Sequence, residues 1–325
     1  MRKIDYSAVQ TLLAIENPMV RKGLHDAFRH AGFGKCAEAF SHETFQQAIA
    51  ESSFDLIIMA TEIAGFFIAQ SIADMRNGKL GHHCFPIVMM LLAAGDGAYV
   101  RKVIDCGPDD MLLMPVAPGP VLQRIGSFTV RRKPFVVTQD YTGPDRRKQP
   151  RPGHEAVPLI EVPNPLQARV DKLPLNTLQD EMEVAKVQLN LHKLERYAVQ
   201  FGWLSDTIGT MFRQNEVDGD KLTAFATRMR QIVEDLPSRL RGDVASRMAG
   251  LFTELGSGAG ALLQDGPAVD PGRLERILGS CRTLAKDLRA LLPRRAPPAP
   301  PPREEPACQD DADPKAVAAG GSAGT

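Results

Sequence analysis

The sequence predicts an α/β domain built on a parallel sheet, followed by an α-helical C-terminal region. Two observations carry this. Residues 86–92 (PIVMMLL) and 111–115 (MLLMP) are short apolar runs, and in 54–60 (FDLIIMA) a Phe-Asp pair is followed by four bulky apolar residues. Such runs mark strands buried on both faces, as parallel strands are once helices cover them. Beyond residue 173 the apolar residues recur instead at steps of three and four, the spacing of one helix face.

Taken in order, residues 12–18 (LLAIENP) read as a first strand running into an Asn-Pro turn. Val20, Leu24, Ala27 and Phe28 then repeat at helical spacing over 19–32, and Gly32 ends the helix where a left-handed residue is cheap. A short second strand precedes Glu38 and Ala39, and residues 43–52 form a second helix with Phe45, Ala48 and Ile49 inward. The third strand is 54–60, and Ile68, Ile72 and Met75 mark a third helix stopped by Asn77-Gly78. Residues 98–106 make the fourth helix and 121–128 the last of this domain.

These runs, in this order and spacing over residues 9–128, resemble the receiver domain of two-component response regulators, the CheY-like family. The segment CGPDD at 106–110 stands where receivers carry AGADD. The resemblance implies a five-stranded, doubly wound, flavodoxin-like fold. It also implies a site at the strand ends: two acidic residues on Mg²⁺ through hard oxygen ligands, an acceptor aspartate, a hydroxyl and a lysine. Matched onto this chain, the acidic pair falls on Ile15 and Glu16, the acceptor on Ala60, the hydroxyl on Leu91 and the lysine on Met114. Alanine cannot accept a phosphoryl group, and Glu16 alone makes a poor Mg²⁺ site. The expectation is a degenerate receiver, a pseudo-receiver, with no cofactor and no catalytic residues. Asp55 belongs to the family's DLVLLD pattern five residues before the acceptor. Making it the acceptor would throw Leu56–Met59 out of the sheet. The family's switch positions read Leu91 and Met111, both expected to pack under the loop and hold one conformation. Phe66 and Phe67 either cover the top of the sheet or form an exposed docking patch. The resemblance further allows a cis Met114-Pro115 bond, which only an X-Pro linkage makes cheap.

Residues 129–172 form a basic, proline-rich linker. Arg131, Arg132, Lys133, Arg146, Arg147, Lys148 and Arg151 alternate with prolines, a density expected to exclude helix and give an extended connector. Within it, YTGPDRRK (141–148) looks like a motif of some bacterial receiver proteins, with no function attached. A basic patch of this size can touch phosphate backbones, but the few interleaved aromatics and the absence of a helix-turn-helix argue against nucleic acid.

Residues 173–292 are expected to be a helical bundle or coiled coil. A capping box at Asn176 and Gln179 starts the first helix. Val184, Val187, Leu191, Leu194, Ala198, Phe201, Ser205, Ile208 and Phe212 form a seam suited to a bundle partner or a homodimer over 184–212. Helices over 221–236, 244–255 and 271–292 follow, the last begun by Asp270-Pro271. Residues 256–260 read as a flexible glycine-rich loop, lacking the Lys-Ser/Thr of a phosphate loop. His192 opens HKLERYAVQFG, which partly resembles the histidine phosphotransfer motif HxLKGxAxxLG through His192, Leu194, Ala198, Phe201 and Gly202. Glu195-Arg196 replaces its Lys-Gly, so a surface histidine on a structural helix is favoured. Residues 293–325 are expected to be disordered.

The formal net charge of the 325 residues is zero, which gives no chain-wide attraction to nucleic acid or membrane. No apolar run reaches the roughly 20 residues of a membrane span. Cys36, Cys84, Cys106, Cys281 and Cys308 are scattered, which indicates neither zinc site nor disulfide framework. The expectation is a cytoplasmic, non-enzymatic signalling protein whose partners belong to a two-component system.

Overall fold

The computed structural model describes residues 4–93, 95–147 and 157–293. The domain begins β1 (Gln10–Ala14), α1 (Pro18–Ala31), β2 (Lys35–Ala39), α2 (His42–Glu51), β3 (Leu56–Ala60). A two-residue pair, β4 (Glu62–Ile63) and β5 (Phe66–Phe67), follows at the end of β3. Then come α3 (Gln70–Arg76), β6 (Ile87–Leu92), α4 (Gly97–Asp105), β7 (Asp110–Leu113) and α5 (Pro118–Phe128). The main sheet has five strands in the order β2-β1-β3-β6-β7, all pairs parallel.

Local chemistry sets the element ends. The Asn17 side chain accepts from the backbone N–H groups of Met19 and Val20, Pro18 opens α1, and Gly32 closes it at φ 92°. Ser41 and Thr44 form a reciprocal capping box on α2, and the Asp96 side chain caps α4. All five residues of β3 and all six of β6 are buried, and their side chains divide between two cores. Leu13, Ile58, Met89 and Leu91 pack under α1 and α5. Leu12, Ile57, Met59, Val88 and Met90 pack under α2, α3 and α4. Each such fully buried side chain contributes about 1.5–3 kcal/mol.

Beyond α5 the chain does not run free. β8 (Phe135–Val137) and β9 (Thr142–Pro144) pair antiparallel, and Phe135 also bridges to Ile160. A short helix, α6 (Pro165–Val170), forms where proline density predicts none. Its Pro165 occupies the first turn, where no N–H is needed, and Asn164 caps it through Gln167 N. The expectation of an extended, helix-free connector is corrected accordingly. Within YTGPDRRK, Tyr141 Oη donates to Pro144 O at 2.8 Å, and Arg146 donates to Pro108 O. The stretch clasps the loop before β7. A Cβ on Gly143 would lie 3.0 Å from Gly107 Cα, so the close approach needs glycine. Lys148 and Arg151 lie outside the described residues.

The helical region comprises α7 (Leu175–Arg213), α8 (Gly219–Arg239), α9 (Gly242–Asp265), a 3-10 turn (Gly266–Ala268) and α10 (Pro271–Leu291). Three sequence expectations change here. Pro174 stands at the N-cap of α7 with no side-chain cap, so Asn176 and Gln179 make no capping box. The seam begins later than expected, because α7 carries two apolar faces in succession. Leu178, Met182, Ala185 and Leu189 are buried against Cys84, Phe85, Phe135 and Ile160, leaving Val184 and Val187 60% and 56% exposed. From Leu194 onward the expected residues Ala198, Phe201 and Ile208 do enter the bundle core with Leu222, Met229, Leu255, Leu278 and Leu284. Residues 256–260 are not a loop. They lie inside α9, where Gly258 lets Ile277 of α10 approach: a Cβ there would lie 2.7 Å from Ile277 Cγ1. Asp270 caps α10 through Arg273 N at 2.8 Å, as the Asp-Pro pair predicts.

Cys36, Cys84, Cys106 and Cys281 are free thiols. Cys308 and the proposed disordered tail, apart from Pro293, lie outside the described residues. No helix among those described is long and apolar enough to cross a membrane.

Candidate functional site

Strand direction gives the sheet two edges with different contents. At the amino-terminal edge, Asp55 just before β3 accepts from Gln10 N at 2.9 Å and from Arg169 Nε of α6 at 3.0 Å. Burial pushes its carboxyl pKa up, while Gln10 N–H and Arg169 oppose the shift. Asp55 is therefore a structural anchor at the far end of the strand from Ala60. Alongside it, Asp109 accepts from Arg76 Nη2 at 2.7 Å, Arg132 Nε at 3.0 Å and Val88 N at 2.9 Å. The two guanidiniums also bond carbonyls of Cys84, Phe85, Pro86, Gly107 and Pro163, and both lie over the Phe135 ring. These contacts hold Pro163, just ahead of α6, and the Phe135 ring of β8 to the domain at its amino-terminal edge, where α7 packs on Phe85 and Phe135.

The carboxyl-terminal edge is where open α/β sheets place ligands. Ala60 ends β3, 7% exposed, and pairs with Leu91, which is wholly buried. Ile15 is 1% exposed. Glu16 Oε2 accepts from Ala64 N at 2.7 Å, which pins the β4–β5 turn over the strand ends. That turn needs left-handed backbone at Ala64 (φ 51°) and Gly65 (φ 80°). Met114 is half-buried, its N–H bonds Leu92 O at 2.7 Å, and the Met114-Pro115 bond is cis. The five positions thus gather at this edge, and the side chains of Ile15, Ala60, Leu91 and Met114 bring no titratable group to it. Among the described residues no group of three or more His, Cys, Asp or Glu can hold a metal ion.

Leu91 and Met111, both expected to pack under the loop, lie in different cores. They face opposite sides of the sheet, Leu91 toward α1 and α5 and Met111 toward α4, because adjacent register pairs alternate. The side chain that reaches the site is one the motif comparison passes over. Tyr99, in the first turn of α4, places its hydroxyl 2.7 Å from Thr61 Oγ1 and 3.0 Å from Glu62 Oε1. Burial raises the phenol pKa. Phe67 meets the Tyr99 ring edge-on at 6.2 Å and carries Lys102 Nζ 4.0 Å above its own ring. Phe67 covers the sheet, whereas Phe66 is 53% exposed and stacks on His42 at 4.9 Å. The only sequence hint of Tyr99 is an aromatic beside the Asp96 cap.

His192 is on α7, away from these strand ends, with Nδ1 3.5 Å from Glu195 Oε2.

A parallel sheet of this strand order, with helices on both faces, is what residues 9–128 build. The fold resembles that of response regulator receiver domains. No protein-family model matches the chain and no curated protein does. Among solved structures, response regulator DrrB of Thermotoga maritima, an OmpR/PhoB homolog, is 16% identical, with 40% of this chain and 56% of that one covered at a TM-score of 0.34. This chain thus spans little more than half of DrrB. The receiver domain of Francisella response regulator 1452 is 16% identical over 37% of this chain and 94% of that one, at a TM-score of 0.33. Full-length FixJ of B. japonicum is 11% identical over 85% and 98%, at a TM-score of 0.33. At such values the strand order and register carry the fold assignment by themselves.

Proposed function

We propose that this chain is a two-component signalling protein whose receiver-like domain works by constitutive protein–protein binding, without being phosphorylated. One observation carries the reading: the strand end that presents an acceptor carboxylate in receivers ends in Ala60, packed beside Leu91. The groups that would assist transfer are missing in the same way, with Ile15 and Met114 in place of an acid and a lysine. Glu16, the one carboxylate kept, is engaged by Ala64 N, and the donor set does not fit Mg²⁺. The partners we propose are other proteins of a two-component system, met in the cytoplasm at the carboxyl-terminal edge, where Phe66 is exposed. The amino-terminal edge is taken up by the chain's own α6, β8–β9 and α7.

Neither alternative gains support. Glu195 beside His192 repels a phosphoryl group, and Arg132 and Arg146 of the basic segment turn inward onto Asp109 and Pro108 O. The test is incubation of the full chain with acetyl phosphate and Mg²⁺, read by intact mass. Wild type stays unmodified, and the paired Ala60→Asp, Met114→Lys variant gains a phosphoryl group. A phosphorylated wild-type chain overturns the proposal, and mapping the label to His192 or to a carboxylate then identifies the acceptor.

A further inference from the structure

A cleft of about 250 Å³ opens where the end of α3, the β8–β9 hairpin, α7 and the end of α8 meet. Its walls carry Arg76, Lys79, Lys186, Lys193 and Arg239, against a single acidic lining residue, Glu183. The local charges do not cancel. Arg76 and Arg132 share the one carboxylate of Asp109. Lys79, at 2.8 Å, and Arg239 share Asp235, whose other neighbour is the neutral hydroxyl of Tyr197 at 2.5 Å.

Among the described residues no carboxylate hydrogen-bonds Lys193, although Asp235 and Asp140 lie near enough to act on its charge. Its side chain, 4% exposed, rests on two neutral carbonyls, Thr138 O at 3.3 Å and Gln139 O at 2.9 Å. Lys186 pairs with Glu183, 3.7 Å away. Five cations therefore line the cleft, Arg76, Lys193 and Arg239 largely buried and Lys79 and Lys186 exposed, against three carboxylates, Asp109, Asp235 and Glu183, the first of them shared with Arg132, in a chain whose formal net charge is zero. Burying charge without a counter-ion is costly, and a bound anion removes that cost.

We propose that this cleft is a binding site for a small phosphate-type polyanion, carrying two or three negative charges. The volume sits just below the ~300–1,000 Å³ of sites for drug-sized ligands, which suits a diphosphate group or a small phosphorylated metabolite. Asn77, Thr142, Asn190 and Ser238 add neutral polar groups to the lining. Because the walls come from both the α/β domain and the helical region, an occupant ties the two together at the edge opposite Ala60. The inference is independent of the proposed function.

The experiment is a calorimetric titration of the full chain with inorganic pyrophosphate at fixed low salt, with inorganic phosphate as the lower-charge comparison. Saturable one-site binding is expected, with pyrophosphate the tighter. Lys186→Glu, at a 51% exposed side chain, reverses one wall charge without disturbing packing and weakens binding by about tenfold. Lys193→Met weakens it further, with folding checked by circular dichroism. Lys221→Glu, on an exposed face of α8, leaves it unchanged. No saturable binding at millimolar pyrophosphate overturns the proposal, as does an equal loss in Lys221→Glu. A short single-stranded oligonucleotide that displaces pyrophosphate and binds more tightly overturns the small-ligand assignment in favour of a nucleic-acid phosphate.

Discussion

The Tyr99 hydroxyl lies 2.7 Å from Thr61 Oγ1 and so ties the start of α4 to the end of β3. Thr61 is 3% exposed, and the same phenol reaches Glu62. The two elements that would have to part for the strand ends to open are thereby held together. Tyr99→Phe keeps the ring against Phe67 and removes only the hydroxyl. It should cost about 1 kcal/mol in urea unfolding and speed amide exchange at Thr61 and Glu62. Unchanged exchange would show that the contact does not restrain this edge.

Asp109 is expected to be among the most sensitive positions in the chain. Asp109→Ala leaves Arg76 and Arg132 buried without a counter-charge and strips Val88 N of its acceptor. A loss of about 3–5 kcal/mol is expected, seen as a large drop in melting temperature. An effect under about 1 kcal/mol, the range of surface ion pairs, would mean that the cluster is not buried in solution.

The glycines of α9 separate a helix from a loop. Gly256→Ala and Gly260→Ala add a methyl with nothing within 4 Å, and in a helix interior each should stabilise by roughly 0.5–1 kcal/mol. Gly258→Val presses on Ile277 and should destabilise by about 1–3 kcal/mol. Equal, near-zero effects at all three positions would restore a flexible loop.

His83 makes stability depend on pH. Burial, reinforced by Arg132 and Arg76, lowers its pKa to about 4 from 6.5. Between those values the unfolded chain binds the proton and the folded chain does not, so stability rises with pH across this window and is lost on acidification. The contribution amounts to about 3 kcal/mol at most. His83→Asn keeps an acceptor near Phe85 N, now 3.1 Å from Nδ1, and should flatten the dependence between pH 4 and 6.5 in chemical unfolding. An unaltered slope would assign it to other groups.

The strands β1, β3, β6 and β7, α1 to α5 and the last helix were legible because their signals are local. Parallel strands under helices read as apolar runs, and Asn17-Pro18 and Asp270-Pro271 announce helix starts through groups within three residues. The apolar character of Ile15, Ala60, Leu91 and Met114 was equally open to reading, because the strand pattern places those positions whatever occupies them. Tertiary structure decided what depends on partners far along the chain. Val184 and Leu189 are equally apolar, and only docking on Phe85 and Phe135 selects Leu189 for burial. Gly258 looks like a loop residue until Ile277 packs against it. Arg132 reads as a solvated linker charge until Asp109, 23 residues earlier, takes its guanidinium. Burial and charge pairing across such separations are properties of the folded chain, since they depend on which surfaces meet and not on what any short segment prefers.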